Sequence, residues 1–152
     1  MTFFICQLPH RSLIKLSGPD KVSFLQGLIT NDVTKVIFGN LLYAAFLTPQ
    51  SKFLNDLFIT ETEEGDWLID CENSDDFIKR LSLYKLRSNV ILTNLKDNYN
   101  VYAVWGENIP LFEKGILLDD PRLPDLGKRL YFPCHATIVN PLSSIEDYDR
   151  HR

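Results

Sequence analysis

The span from Phe24 to Asp56 constrains the fold more than any other part of the 152-residue chain. It runs Phe24-Leu25-Gln26-Gly27-Leu28-Ile29, then a polar elbow Thr30-Asn31-Asp32, then two apolar stretches at 41–47 and 53–60 around Thr48-Pro49-Gln50-Ser51. Val22, Leu25, Leu28 and Ile29 fall at helical spacing. Pro19 suits a first helical turn, where no backbone donor is needed, so residues 20–29 are expected to form an amphipathic helix after the break at Gly18-Pro19-Asp20. Asn31 and Asp32 supply cap and turn chemistry. The two stretches around 48–51 read as a hairpin.

The second of these stretches, Phe53-Leu54-Asn55-Asp56-Leu57-Phe58-Ile59, carries a carboxylate in apolar company. Asp is disfavoured in strands, and an unpaired carboxylate on a buried face is costly. Asp56 therefore either belongs to a site, or faces water at a strand edge, or caps a nearby turn. Tyr43 bears on the choice through register. A tight turn with two central residues places Tyr43 directly opposite Asp56, and a four-residue loop leaves the two diagonal on one face. A three-residue loop puts them on opposite faces, because one step of register flips the side chains. Taken alone, Tyr43 reads more readily as core packing than as a site residue.

Elsewhere the pattern alternates between strand and helix. Residues 1–6 and 11–16 read as strands, and 67–71 as another after the turn Glu63-Glu64-Gly65-Asp66. Asn73 or Ser74 caps a second helix, with Asp75 and Asp76 in its first turn and Lys79, Arg80 and Lys85 towards its end, as the helix dipole favours. Phe77, Ile78, Leu81 and Tyr84 form its buried stripe. Residues 90–95 and 100–105 are expected as a hairpin turning at Lys96-Asp97-Asn98. The fold class expected is α+β, helices packed on a largely antiparallel sheet. Beyond Gly106 the punctuation by Pro110, Pro121, Pro124, Pro133 and Pro141 suggests a linker and an incomplete second domain over 107–152, beside a first domain over 1–106. Pro141-Leu142-Ser143-Ser144-Ile145-Glu146-Asp147-Tyr148 has the form of a capped helix start, and the chain is expected to be the N-terminal piece of a longer protein.

Composition narrows the function classes. Hydrophobic residues at 45% and charged residues at 24% are ordinary globular usage. A net charge of −4 without a basic run argues against a nucleic-acid surface. No apolar run approaches a membrane span, and residues 1–6 lack the form of a signal peptide. Cys6, Cys71 and Cys134 are far apart and form no zinc spacing, so no metal site is expected and each cysteine is read as a small buried hydrophobe. Isolated thiols suggest a reducing compartment, and the cytoplasm is the default. Arg87 either pairs with an acidic group or balances the helix end. His10, His135 and His151 have no partner spacing. No G-x-S-x-G nucleophile motif and no phosphate loop is found, and no residue is assigned a catalytic role.

Several ordered segments resemble a known family. Gly18-x-Asp20, Phe24-Leu25-Gln26-Gly27, Thr30-Asn31-Asp32-Val33, Tyr43-Ala44, Leu47-Thr48-Pro49-Gln50-x-Lys52 and Asp56 resemble the YgfZ-type folate-binding proteins, relatives of the glycine-cleavage T-protein, an aminomethyltransferase. Tyr84-x-Leu86-Arg87-Ser88-x-Val90 and Asp120-Pro121-Arg122-Leu123-Pro124-x-Leu126-Gly127-x-Arg129 continue the match. The resemblance implies a tetrahydrofolate-binding protein that supports iron–sulfur cluster assembly or repair, with assembly or client proteins as partners. It implies that Asp56 is the folate-contacting carboxylate with Tyr43 in the same pocket, and Asn31 completes the expected cofactor-binding set. A pterin offers amide-like donors to a carboxylate and a flat face to a tyrosine. Two departures stand out. Ser51 replaces a usual glycine, and the family's later Lys-Gly-Cys-Tyr/Phe-x-Gly-Gln-Glu motif is absent, with none of the three cysteines at its position. The other readings are an aminomethyltransferase acting through Asp56, and an α+β interaction module in which Asp56 and Tyr43 are structural.

Overall fold

A computed structural model of the protein describes residues 3–47, 53–110, 112, 114–122 and 127–136, with backbone alone at 53 and 54. The turn expected at Thr48-Pro49-Gln50-Ser51 and the helix start expected at Pro141 lie outside the described residues. In chain order the elements are β1 (Phe3–Gln7), β2 (Arg11–Ser17), α1 (Lys21–Gln26), a 3-10 turn (Val33–Lys35), β3 (Leu42–Leu47), β4 (Phe53–Glu61), β5 (Trp67–Glu72), α2 (Ser74–Leu83), β6 (Ile91–Asn94), β7 (Tyr99–Gly106), β8 (Ile116–Asp119) and β9 (Lys128–Pro133). The strands form two antiparallel sheets, ordered β3-β4-β5-β2-β6 and β1-β7-β9-β8.

The five-stranded sheet carries apolar side chains on both faces, and that composition dictates the layering. Its outer face, with Ile14, Leu16, Phe46, Leu57, Ile59 and Ile69, packs under Phe24 and Leu25 of α1 and Phe77 and Leu81 of α2. Its inner face, with Leu13, Phe58 and Leu68, packs on Cys6, Val101, Ala103, Trp105 and Tyr131 of the four-stranded sheet. Each fully buried Leu, Ile, Val or Phe among these contributes on the order of 1.5–3 kcal/mol by leaving water. The result is the expected α+β architecture, with helices covering one side and a second sheet covering the other.

Three expectations change against the structure. The first helix ends at Gln26, not Ile29. The Oε1 of Gln26 accepts from the Val33 backbone at 3.0 Å, while Thr30 N donates to Ala45 O at 3.0 Å and Leu47 N to Leu28 O at 3.2 Å. Pairing with β3 thus takes residues 28–30 out of the helix. The hairpin expected over 90–105 does not form. β6 pairs with β2 and β7 with β1 and β9, so the chain turns at 95–99 and crosses between sheets. Cys6 and Cys71 are buried, as expected, but Cys134 is exposed, because it follows β9 in a surface turn.

The second helix starts as its sequence dictates. Asn73 caps it, its side chain accepting from Asp76 N. The change of character beyond Gly106 does not mark a break in the sheet. β9 pairs with β7 from Tyr99↔Pro133 to Val104↔Lys128 and with β8 on its other edge. Gly127, at φ +87, lets the chain enter β9 against the Val104–Trp105 backbone, where a Cβ would meet Trp105 Cα at 2.9 Å.

Candidate functional site

The inner faces of the two sheets are not purely apolar. Asp70 of β5 stands opposite Phe58 of β4 and Leu13 of β2, so its carboxylate enters the seam between the sheets. It is 1% exposed. A charge there requires paired, hydrogen-bonded partners. Arg11 Nε donates to Asp70 Oδ1 at 2.8 Å, and Arg129 Nε to Oδ2 at 2.7 Å. Tyr131 Oη adds a third bond to Oδ2 at 2.9 Å. Arg129 and Tyr131 stand two apart on β9 and so share a face. Burial pushes the Asp70 carboxyl up, but the charges and hydrogen bonds of Arg129 and Arg11 outweigh it and hold it below the usual range. Burial and the neighbouring carboxylate push the Tyr131 hydroxyl well up, so it remains a donor.

Arg11 carries this network to the surface. Its NH2 group donates to Asp70 O at 2.9 Å and to Asp56 O at 3.3 Å, and its NH1 group to Asp56 Oδ1 at 2.7 Å. Glu72 Oε1 lies 4.0 Å from the same NH1 group. The Asp56 side chain is 28% exposed, the wet end of a buried ionic chain. Burial raises its carboxyl, but the hydrogen bond and charge of Arg11, with smaller contributions from Tyr43 and Arg122, leave it below the ordinary range. Asp56 is therefore a carboxylate at neutral pH.

Asn31, Tyr43 and Asp56 come together. Ala45 is opposite Asp56 and Phe58 is opposite Tyr43, so Tyr43 and Asp56 are diagonal on one face. A register shift between Phe46 and Leu47 accompanies this pairing. Tyr43 Oη donates to Asp56 Oδ2 at 3.2 Å, long for a hydroxyl bond. Asn31 acts on the backbone: its Nδ2 donates to Tyr43 O at 3.0 Å and its Oδ1 accepts from Asp32 N at 2.8 Å. Asp32 caps the next turn through Thr34 N at 2.9 Å. Arg87 is exposed on the chain after α2.

Aromatic and cationic groups complete the wall. The Tyr43 and Phe58 rings are 5.0 Å apart. The guanidinium of Arg122 lies 5.8 Å from the Tyr43 ring and 5.0 Å from that of Phe58, and that of Arg129 lies 4.0 Å from Phe58. Buried Asp120 fixes Arg122 through bonds of 3.0 Å to Nε and 2.6 Å to NH2. The exposed end thus offers one carboxylate oxygen, one half-exposed tyrosine ring and an oriented guanidinium. It can accept N–H donors and stack a flat ring. Among the described residues no group of three or more His, Cys, Asp and Glu is placed to hold a metal ion. A separate cleft of about 690 Å³ opens at the other end of the inter-sheet seam, lined by Lys15, Thr60, Leu68, Tyr99 and Ile116 among others. It touches none of these groups.

Arg11, Asp70, Arg129 and Tyr131 are absent from the expected site. One signal for them is present in the sequence: Trp67-Leu68-Ile69-Asp70-Cys71 sets a carboxylate among apolar residues just as the Asp56 run does. The arginines carry no such local mark.

Comparison with known proteins places this geometry. The protein called iron-sulfur cluster assembly factor IBA57 homolog, mitochondrial, of Mycosarcoma maydis is 33% identical over 145 residues, covering 84% of this chain and 36% of the relative. That of Phaeosphaeria nodorum is 31% identical over 158 residues, covering 93% and 38%. The chain therefore spans a little over a third of the length of these curated relatives. Their names overturn the expectation of a cytoplasmic protein, since widely spaced cysteines specify reducing surroundings and not an address. The crystal structure of glycine cleavage system aminomethyltransferase T from Bartonella henselae shares the fold with a TM-score of 0.69 at 16% identity, over 86% of this chain and 42% of that one. Heterotetrameric sarcosine oxidase from Corynebacterium sp. U-96 gives 0.50 at 11%, over 86% and 75%. The family model of the GCVT N-terminal domain matches residues 4–109, more than half of the sequence, and the chain belongs to that family.

Proposed function

We propose that this chain is the tetrahydrofolate-binding part of an iron–sulfur cluster assembly factor, with the pterin seated at Asp56 and Tyr43. The observation that carries the reading is the Asp56 carboxylate. One oxygen is held by Arg11, and the other stands at the surface beside the exposed edge of Tyr43. A reduced pterin is a flat ring with amide-like N–H donors. The residues present fit it: Asp56 Oδ2 accepts, Tyr43 stacks or closes the rim, and Asn31 fixes the backbone of Tyr43. Bound tetrahydrofolate would supply one-carbon chemistry at its N5 and N10 amines. This chain's own residues bind and orient it.

The assembly role rests on the names of the relatives, which also support a mitochondrial location. An iron–sulfur cluster is cargo in this reading, and the partners are assembly or client proteins. Calorimetric titration of the full-length protein with tetrahydrofolate, beside Asp56→Ala, tests the site. Loss of a charge-assisted bond is expected to weaken binding by about tenfold or more. Equal binding by both proteins removes Asp56 from the site, and no binding by the wild type overturns the folate reading. Unchanged iron–sulfur enzyme activities in mitochondria after deletion of the gene would overturn the assembly role.

A further inference from the structure

We infer that Arg11 is the positioning residue of this site, clamping Asp56 by one oxygen so that the other is presented as a fixed hydrogen-bond acceptor. The identity of the ligand rests on the folate reading above; the clamp itself does not.

The geometry carries the inference. The Arg11 side chain is 5% exposed, and all three guanidinium nitrogens are engaged. Nε meets Asp70 Oδ1, NH2 meets the backbone carbonyls of Asp70 and Asp56, and NH1 meets Asp56 Oδ1. Asp70 is itself immobilised by Arg129 and Tyr131 from the opposite sheet. A planar fork held at both ends cannot swing, so Asp56 Oδ1 has a fixed location. Among the described residues Oδ2 keeps only the long bond from Tyr43, which a ligand N–H can share or replace. No proton changes hands: the ligand donates a hydrogen bond, and Asp56 stays ionised. Among the described residues, the charged and titratable groups acting on Asp56 are Arg11 on β2, Tyr43 on β3 and Arg122 after β8, while Asp70 and Glu72 on β5 face Arg11. Lysine cannot reproduce the clamp, because an ammonium is a point donor that cannot span two carboxylates and two carbonyls.

The test uses the full-length protein and its Arg11→Lys and Arg11→Gln variants, with folding checked by circular dichroism. Carbon-detected NMR follows the Asp56 carboxyl with pH, and titration with tetrahydrofolate is repeated from pH 7 to pH 5. The wild-type carboxyl is expected to titrate below the ordinary range, and its folate affinity to stay level across these pH values. In Arg11→Lys, which keeps the charge, Asp56 is expected to titrate higher, and affinity to fall about tenfold at pH 7 and further towards pH 5. Arg11→Gln shows the larger effect; if it does not fold, Arg11→Lys decides. An Asp56 titration unmoved in Arg11→Lys overturns the clamp. A moved titration in a protein that never binds tetrahydrofolate supports the clamp and refutes the folate reading instead.

Discussion

Asp70→Asn is expected to destabilise the protein by about 3–5 kcal/mol while keeping the shape of the side chain. The magnitude follows from what the carboxylate does. It accepts from two guanidinium groups, at 2.8 Å and 2.7 Å, and from the Tyr131 hydroxyl at 2.9 Å. Hydrogen bonds to charged groups contribute about 1.5–3 kcal/mol each. An asparagine oxygen can keep one set of donors, but its NH2 group then points at the other guanidinium, donor against donor, in a site 1% exposed. Urea denaturation followed by circular dichroism measures the loss, and a 152-residue chain is expected to melt about 6–20 °C lower. The pH dependence adds a second check. Asp70 is held below its ordinary range, Arg129 and Arg11 outweighing the burial that raises it. Its contribution is therefore full above the unfolded pKa of about 4 and disappears as pH falls through the lower folded value. The gap between wild type and variant is expected to be constant near neutrality and to close in acid. A loss below about 1 kcal/mol at pH 7, or a gap that widens in acid, would refute the account of Asp70 as the ionised centre of the seam.

Three further outcomes follow from the geometry. Tyr43→Phe is expected to change stability by less than about 0.5 kcal/mol in the same urea assay, because its hydrogen bond is long and half-exposed; a loss above 1 kcal/mol contradicts this. Gly127→Ala is expected to cost more than about 2 kcal/mol, since alanine meets both a left-handed φ and the Val104–Trp105 backbone; a melting temperature equal to wild type shows that the chain can enter β9 another way. Brief alkylation with iodoacetamide at pH 8, read by mass spectrometry, is expected to label exposed Cys134 and spare Cys71, whose thiol burial pushes up to about 12; equal labelling of the two refutes the buried assignment.

The legible parts of this molecule are those whose information is local. Asp56 stood out because a carboxylate interrupts a run in which Phe53, Leu54, Leu57, Phe58 and Ile59 are all apolar. Alternation put Tyr43 on the face of Asp56 for a two- or four-residue loop and off it for a three-residue one, and the α2 cap followed from Asn73 and the acidic pair behind it. What escaped is non-local. The alternation of residues 90–105 marks two strands but cannot say which sheet receives each, and β2 and β1 are chosen by packing across the whole domain. Arg11 opens a strand like any other polar residue. Arg129 is tied to Asp70 across 59 positions and Tyr131 across 61. No window of sequence contains both ends of those bonds. Asp70 is the exception, since its run carried the same signal as Asp56.

The inter-sheet network has a consequence for the order in which the protein is made. Arg11 precedes Asp70 by 59 residues and is already made when Asp70 leaves the ribosome, but Arg129 follows Asp70 by a further 59, roughly 3–12 s at about 5–20 residues per second. During that interval the inner face bearing Leu13, Phe58 and Leu68 lacks Tyr131 and its strand. A nascent chain paused there holds an apolar surface around a carboxylate served by one arginine where the folded protein has two. The site at Asp56 is thus set late, by β9, the last strand among the described residues, and slow translation between codons 71 and 129 lengthens the time for which it stays unset.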